Sequence, residues 1–353
     1  MSKPPELYHN GNDWQKKVYY HMSDYLQSKG IKDFGKSKHG NPYMHLLPKD
    51  QADKGMNFIT PDIYNDTINR FLHHKAGDIE RIKTNTCSSQ AYCFNLFAYL
   101  YRHKSFADSV LSSLIGKQID IQHIELEFTP NQMLWNDFPL IDDESIGDQS
   151  KNSGTDADVA LFYHYDKNKK GVLLIEFKFI EGEFSTCSSY RNGKVGLKGV
   201  CDANTFFKEL IENGKKTEKG FLCGYQKYNN WRLTSTSQSL DILKVKNSLS
   251  CPFIGGCNQL WRNMLLAEQV AKSRQCNEWG FWVFSPKPNE RFLWGDGNTE
   301  IESLFRSILT PLGNAVFRKI HLEDVFQQLN LLAESENSDW LKQMEEKYLI
   351  TLE

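Results

Sequence analysis

The stretch DADVALFYHYDKNKKGVLLIEFKF, residues 156–179, decides the fold of this chain. Two apolar runs flank the turn DKNKKG, whose Asn and Gly can take unusual backbone angles, so we predict two antiparallel strands joined as a β-hairpin. Charged residues stand at the open end of the hairpin, Asp158 on the first strand and Glu176 and Lys178 on the second. Buried charges are costly unless they are paired, hydrated or bound to a metal ion.

The register of the hairpin decides whether these charges meet. Side chains alternate between the two faces of a strand, so Glu176 and Lys178 share one face. If paired residue numbers add up to an even value, Asp158 shares that face, and a sum of 334 places it opposite Glu176. Asp156 has the same parity and is a rival to Asp158. A structural ion pair between Glu176 and Lys178 is the alternative reading.

Two carboxylates at this separation would repel each other, and a bound divalent cation removes that repulsion. Oxygen ligands with room left for water suit Mg²⁺ or Mn²⁺ better than zinc. Lys178 beside them can orient or help deprotonate an attacking water, or neutralise charge on a phosphate. The pattern therefore predicts metal-assisted hydrolysis of a phosphodiester bond.

The rest of the chain predicts an α/β protein with a mixed β-sheet flanked by helices. Helical periodicity and capping residues predict helices at residues 12–30, from Pro61 to about Ile82, and at 88–103, 105–117 and 256–274. Strands are predicted at 118–128, with the apolar face changing midway, and at 278–286, and the tail from Glu300 predicts two or three amphipathic helices.

These features resemble the PD-(D/E)XK nucleases, which have a restriction-endonuclease-like core. The likeness is in Asp158, the hairpin turn, Glu176-Phe177-Lys178 and the order of helices and strands around them. One bacterial branch of predicted nucleases in this superfamily also has a helix start like Ser88-Ser89-Gln90. The resemblance covers roughly residues 88–286 in layout, and Ala157 stands where the proline of the family pattern would be.

The resemblance assigns roles to the charged residues. It implies that the carboxylates of Asp158 and Glu176 and the carbonyl of Phe177 are metal ligands. It implies that Lys178 is the catalytic base. Glu127 on the preceding strand is a further candidate metal ligand, with a solvent-facing strand residue as the alternative. Gln259 resembles the glutamine that RecB-like members place beside the site, although an exposed helix position explains it equally well. Arg262, one turn later, is placed to reach a phosphate.

The charge distribution predicts a local surface for nucleic acid. A formal net charge of −2 argues against indiscriminate coating of polyanions but allows a basic groove. Residues 125–148 include seven acidic residues and no Lys or Arg, whereas residues 191–232 include nine basic and four acidic residues. A solvated basic face is the alternative. The predicted phosphate contacts are Lys167, Lys169, Lys170, Arg191, Lys194, Lys198 and Arg262.

The eight cysteines are expected to be reduced, because the sequence shows no signal peptide and no membrane-spanning run and therefore predicts a cytoplasmic protein. Four of them could hold an iron–sulfur cluster, as in some RecB-like nucleases, or a zinc ion: Cys187, Cys201, Cys251 and Cys257. Their spacing does not match short zinc knuckles, and ordinary buried thiols are the favoured alternative.

The sequence as a whole predicts a Mg²⁺-dependent deoxyribonuclease acting in restriction, repair or phage defence. We expect an N-terminal helical extension (1–85), a nuclease-like α/β core (86–290) and a C-terminal helical segment packed on the core (291–353). The expected partners are DNA and a second copy or a defence-system protein, with no membrane. The alternative from another class is a nuclease-fold module that has lost hydrolysis and only holds nucleic acid or a partner protein.

Overall fold

The computed structural model describes residues 11–74, 78–130, 135–140, 155–187, 190, 201, 230–295 and 300–350. A five-stranded sheet contains, from one edge to the other, β1 (Asp120–Phe128), β2 (Ala157–Tyr165), β3 (Lys169–Phe177), β4 (Glu278–Ser285) and β5 (Phe317–His321). β2 is antiparallel to both β1 and β3, whereas β4 runs parallel to β3 and β5 parallel to β4. The predicted α/β class with a mixed sheet flanked by helices is confirmed.

The helices before β1 are α1 (Asp13–Ser28), α2 (Lys49–Asp53), α3 (Pro61–His74), α4 (Ile79–Thr84), α5 (Ser89–Arg102) and α6 (Lys104–Ile115). Those described after β3 are α7 (Asn230–Thr236), α8 (Ile242–Lys246), α9 (Cys257–Ser273), α10 (Glu290–Leu293), α11 (Glu300–Ser307), α12 (Pro311–Val316), α13 (Leu322–Leu332) and α14 (Ser338–Tyr348), with a 3₁₀ turn at Lys287–Asn289. Within the described ranges, no helix has the length and apolar character needed to span a bilayer.

The hairpin of β2 and β3 has the predicted register. Val159 pairs with Ile175, so the paired numbers add up to 334 and the next step places Asp158 opposite Glu176. At the other end, residues 166–168 form the turn with φ values of 40°, 60° and 88°. Such left-handed values are most accessible to Gly, Asn and Asp, and the turn sequence Asp-Lys-Asn supplies two of those types.

The predicted change of apolar face in β1 is a β-bulge. The pairing with β2 shifts between Ile121 and His123, so Gln122 is an extra residue in the strand. Ile121 and Ile124 are consequently both buried in the same apolar cluster despite their odd separation. The bulge explains why one strand can show two opposite alternations in sequence.

The sheet has an apolar layer on each face. Val159 and Ile175 belong to the layer covered by α1, α5, α6, α13 and α14. Ala160 and Leu174 belong to the opposite layer, which α9 and α11 cover. Burial on both faces explains why β2 and β3 read as nearly continuous apolar runs and why charges within them are informative.

The first and last helices both pack against the chain just after β3. Trp14 of α1 donates a hydrogen bond of 2.8 Å from Nε1 to the carbonyl of Phe179. Tyr348 of α14 stacks on Tyr92 of α5 with ring centroids 3.8 Å apart, and it meets Phe179 edge-on at 5.7 Å. Segments far apart in sequence therefore hold the end of the strand that carries Glu176.

The predicted second helix does not run unbroken to about Ile82. The first part, α3, ends at His74, and α4 begins after Asp78, whose side chain accepts a hydrogen bond of 3.1 Å from the backbone N–H of Arg81. An Asp in this position starts a new helix. The prediction of one continuous helix is wrong because a capping residue was read as a residue of the helix interior.

The predicted tail of two or three helices is also wrong. From Glu300 onward the structure has α11, α12, α13 and α14, and it places the strand β5 between α12 and α13. Only Phe317 in this five-residue strand is buried, as expected at a sheet edge, so the sequence carries little strand signal. The division of the chain into three parts at residues 85 and 290 stays a prediction.

Candidate active site

Three carboxylates lie side by side on three adjacent strands, and we call them the carboxylate row: Glu127, Asp158 and Glu176. The β1–β2 pairs on either side of Glu127 put it level with Asp158, and the register of β2 and β3 puts Asp158 level with Glu176. Glu127 is 8% exposed and Glu176 is 4% exposed, while Asp158 is half-buried. Three like charges with little access to water repel each other and raise the affinity for protons or cations.

Asp158 is bonded to the strand that carries the other charges. Its Oδ2 accepts a hydrogen bond of 2.6 Å from the backbone N–H of Phe177, the residue between Glu176 and Lys178. Burial, followed by the charges of Glu176 and Glu127, raises the pKa of Asp158 well above its usual range. This carboxylate therefore lies in an environment with an excess of negative charge.

Glu176 is held by three donors. Lys178 Nζ lies 2.6 Å and Gln259 Nε2 2.7 Å from Oε1, and Asn263 Nδ2 donates to Oε2 at 2.6 Å. Gln259 also accepts a hydrogen bond of 3.0 Å from the backbone N–H of Ser185, so both ends of its amide are fixed. Sequence reasoning missed Asn263, although its spacing of four residues from Gln259 on α9 places both on one helix face.

Lys178 is a buried cation surrounded by carboxylates. Its side chain is largely buried, and its backbone N–H donates to the carbonyl of Phe284 at 2.8 Å, which ties it to β4. Burial by itself lowers the pKa of Lys178, but the charges of Glu176, Glu181 and Asp158 together outweigh it and hold the pKa above its usual value. The ammonium group is therefore charged at neutral pH.

Glu127 has a left-handed backbone with φ of 50°. Arg70 of α3 holds this conformation by donating from Nε to the carbonyl of Leu126 at 2.6 Å and from Nη2 to the carbonyl of Glu127 at 2.7 Å. Burial raises the pKa of Glu127 to about 7, although a hydrogen bond with the side chain of Gln90 acts in the opposite direction. Asp156, the rival of Asp158, is exposed and affects the site through its charge on Glu127.

The Ser88-Ser89-Gln90 start of α5 faces the same end of the sheet. The Ser88 side chain caps the helix, accepting from the backbone N–H of Ala91 at 3.3 Å. Ser89 Oγ donates to Glu181 at 2.6 Å, and Glu181 accepts the backbone N–H of Phe179 at 2.9 Å. Through Gln90 and Ser89, this helix start contacts both Glu127 and the chain that follows Lys178.

The predicted phosphate contacts lie in different places. Arg262 donates to Thr155 Oγ1 at 3.1 and 3.3 Å, directly before Asp156, and so lies at the site end of the sheet. Lys167, Lys169 and Lys170 lie at the opposite end of the hairpin, about 20 Å away for strands that rise ~3.3 Å per residue. Arg191, Lys194 and Lys198 lie outside the residues that the structure describes.

The four cysteines of the alternative metal site belong to neighbouring segments. The backbone N–H of Cys251 donates to the carbonyl of Cys201 at 2.9 Å. The backbone N–H of Cys187 donates to the carbonyl of Ile254 at 3.0 Å. Burial raises the pKa of Cys257 to about 12, which disfavours the thiolate form that binds metals. Across the described ranges, no three side chains of His, Cys, Asp and Glu are arranged as a metal-binding group.

Comparison with known proteins yields a family. Residues 20–349 match the model of a family described as Restriction Endonuclease associating with ARP. No curated protein and no solved structure matches the chain at a significant level. The matched range includes β1 to β5 and the whole carboxylate row, and the five-stranded mixed sheet flanked by helices is compatible with a restriction-endonuclease-like core.

Proposed function

The chain belongs to the family of restriction endonucleases associating with ARP, and from this premise we propose that it hydrolyses phosphodiester bonds in DNA. The observation that carries this proposal is the convergence of Asp158, Glu176 and Lys178 at one end of the hairpin. Lys178 Nζ lies 2.6 Å from Glu176 Oε1, and Asp158 accepts a hydrogen bond of 2.6 Å from the backbone N–H of Phe177 between them. Together with Phe177 they match the PD-(D/E)XK pattern except at Ala157, which stands at the proline position, and we propose on these residues that the chain belongs to that superfamily.

We further propose that hydrolysis depends on Mg²⁺ or Mn²⁺. Magnesium in proteins keeps several waters and binds through one or two carboxylates, so Asp158, Glu176 and the carbonyl of Phe177 are a suitable ligand set. Burial, followed by the charges of Glu176 and Glu127, raises the pKa of Asp158, and a bound cation would offset that repulsion. When bound, such an ion supplies Lewis acid activation of a phosphate or a water.

The chain's own residues have separate roles in this scheme. Lys178 is a cation held at 2.6 Å from Glu176, and we assign to it the neutralisation of charge on the phosphate and the orientation of the attacking water. Gln259 and Asn263 fix the two oxygens of Glu176 and are positioning residues. Arg262, at the same end of the sheet, is the described residue best placed to contact a neighbouring phosphate.

A second candidate function is supported by the hydrogen bonds of Glu176. Lys178, Gln259 and Asn263 already satisfy this carboxylate, as in a structural ion pair. A buried pair of this kind is also compatible with a nuclease-fold module that holds nucleic acid or a partner protein without cutting it. The left-handed backbone at Glu127 favours the nuclease, because strained conformations cluster at active sites.

The family description also names an associate, ARP. We propose that this chain acts together with such a partner in restriction, repair or phage defence. Co-purification of the full chain with a tagged ARP would test the association independently of cleavage.

Cleavage of purified DNA tests the proposed function directly. Plasmid and single-stranded DNA are incubated with the unaltered chain and with Lys178→Met, each with and without Mg²⁺. We expect metal-dependent cleavage by the unaltered chain and none by the variant. Lys169→Met, at the far end of the same hairpin, is the matched control and should cut normally. Binding without cleavage by every form would support the binding module instead.

A further inference from the structure

A cavity of about 870 Å³ lies between α1, the loop of residues 34–49 and α4, and none of its lining residues belongs to the carboxylate row. This volume is within the range of sites that bind small molecules. Its walls are connected by backbone hydrogen bonds, from Gly35 to the carbonyl of Leu46 at 2.7 Å and from Leu47 to that of Thr84 at 2.9 Å. The loop and α4 therefore form a preformed concave surface.

Aromatic rings form one side of this cavity. The ring of His45 contacts the rings of Tyr19 and Tyr43, with centroids 4.6 and 5.6 Å apart. His45 is 6% exposed, and its carbonyl accepts a hydrogen bond of 2.7 Å from Thr86 Oγ1, which fixes its backbone. Burial lowers the pKa of His45 to about 4, so the ring is neutral at physiological pH. Half-buried Tyr19 and Tyr43 line the space with neutral ring surface suited to a planar ligand.

The charges around the cavity are predominantly positive. The charged residues that line it are Lys36, Lys38, Lys49, Arg81, Asp78 and Glu80. Asp78 accepts a hydrogen bond from the backbone of α4, and Glu80 lies 3.9 Å from Lys49, so both carboxylates are engaged. Lys36 and Lys38 are exposed, and neither forms an ion pair with a residue that the structure describes. The excess of cations favours an anionic ligand.

We propose that this cavity binds a nucleotide, with the base against the ring surface of Tyr19 and Tyr43 and the phosphate near Lys36 and Lys38. Aromatic rings beside cations are the combination that recognises a stacked base with an attached phosphate. The ligand can come from two sources, a free mononucleotide or an unpaired nucleotide of a nucleic-acid strand. This site is separate from the carboxylate row and adds a second binding function to the chain.

Isothermal titration of the full chain with dAMP, in EDTA so that no strand is cut, tests the proposal. Adenosine and inorganic phosphate are titrated separately, and each should bind at least ten times more weakly than dAMP. Tyr43→Leu keeps the apolar bulk but removes the ring, and we expect about 5- to 150-fold weaker binding, the factor that corresponds to one base–aromatic stack. The double variant Lys36→Gln, Lys38→Gln should weaken binding of dAMP but not of adenosine.

Matched controls separate this site from the proposed nuclease. Lys32→Gln removes a nearby exposed lysine that does not line the cavity, and it should bind dAMP normally. Lys178→Met should also bind dAMP normally, even if the chain cuts no DNA. A 5′-phosphorylated dA₆ that binds more tightly than dAMP identifies the strand as the source, and the reverse order identifies the free nucleotide. Absence of dAMP binding at millimolar concentration, or binding that both cavity variants leave unchanged, overturns the proposal.

Discussion

Asp158 and Phe177 are joined across the hairpin by a hydrogen bond of 2.6 Å from the backbone N–H of Phe177 to Oδ2 of Asp158. Because Phe177 lies between Glu176 and Lys178, this bond fixes the position of one carboxylate relative to the other two charges. Asp158 therefore contributes both a negative charge and a hydrogen-bond acceptor for the backbone of Phe177. Suitable substitutions can remove the charge alone or both together.

Asp158→Asn removes the charge but keeps an oxygen that can accept the Phe177 N–H. We expect DNA cleavage to fall by about 10²–10³-fold, the usual effect of losing one preorganised electrostatic group, with the free energy of unfolding unchanged or higher. Asp158→Ala should in addition lower that free energy by about 1–3 kcal/mol, because it leaves a buried donor without an acceptor. Initial cleavage rates and urea unfolding measure the two effects. Parent-like cleavage by Asp158→Asn would remove the proposed role of this residue.

Asn263→Ala tests the positioning of Glu176. Loss of the 2.6 Å hydrogen bond to Oε2 should lower the turnover rate by tenfold or more while KM for DNA stays nearly constant, since Asn263 is buried behind Glu176. Asn263→Asp, of nearly the same shape, should be worse in both activity and stability because it adds a fourth carboxylate. Steady-state kinetics and thermal unfolding provide the readouts. An Asp variant as active as the parent would contradict this role.

Glu127→Gly and Glu127→Ala together measure the backbone strain at φ of 50°. Both remove the carboxylate, but only Gly adopts a left-handed backbone without steric cost. We expect the Gly variant to be about 1 kcal/mol more stable than the Ala variant in urea unfolding. Equal stabilities would mean that the hydrogen bonds from Arg70, and not strain, determine the energetics at this position.

Lys347 should make stability depend on pH. Burial lowers the pKa of this ammonium to about 7, and its Nζ donates to the Asn57 carbonyl at 2.6 Å and Oδ1 at 2.8 Å. Between pH 7 and about 10.4 the unfolded chain binds a proton that the folded chain has released, so the free energy of unfolding rises with pH by up to about 1.4 kcal/mol per unit. Below pH 7 both states bind the proton and this slope disappears.

Unfolding in urea at several pH values measures this slope. Lys347→Met should lose it between pH 7 and 10, whereas Lys342→Met, at an exposed position on the same helix, should keep it. The difference between the two variants removes the contribution of other groups that titrate near pH 10. Parallel curves for the two variants would show that Lys347 titrates normally.

The hairpin was predictable from sequence because side chains alternate between the two faces of a strand. Each pairing register therefore places Asp158 either on the face of Glu176 or on the opposite face. One assumption about parity brought Asp158 and Glu176 together, and the observed pairing of Val159 with Ile175 confirms the register. Local alternation also indicated the change of apolar face in β1, which the structure shows to be a bulge. These features depend on neighbouring residues or on a single short turn, which sequence patterns record well.

Features that depend on distant contacts were not predictable. Asn263 reads as one polar residue in an amphipathic helix until α9 is packed against Glu176. The edge strand β5 has one buried residue, so only its pairing with β4 identifies it. The distance between the lysines of the hairpin turn and the carboxylates also follows from strand length and not from the lysines themselves, and their predicted phosphate contacts stay a prediction.

The stacking of Tyr348 on Tyr92, and its contact with Phe179, has a consequence for the timing of assembly in the cell. A ribosome releases α14 after every other described element, so the aromatic cover over the strand end is completed last. We expect nascent or prematurely terminated chains to leave Phe179 open to solvent and to hold Lys178 loosely. Under the proposed function, such chains would cut DNA poorly, and cleavage would begin only after synthesis has passed residue 348.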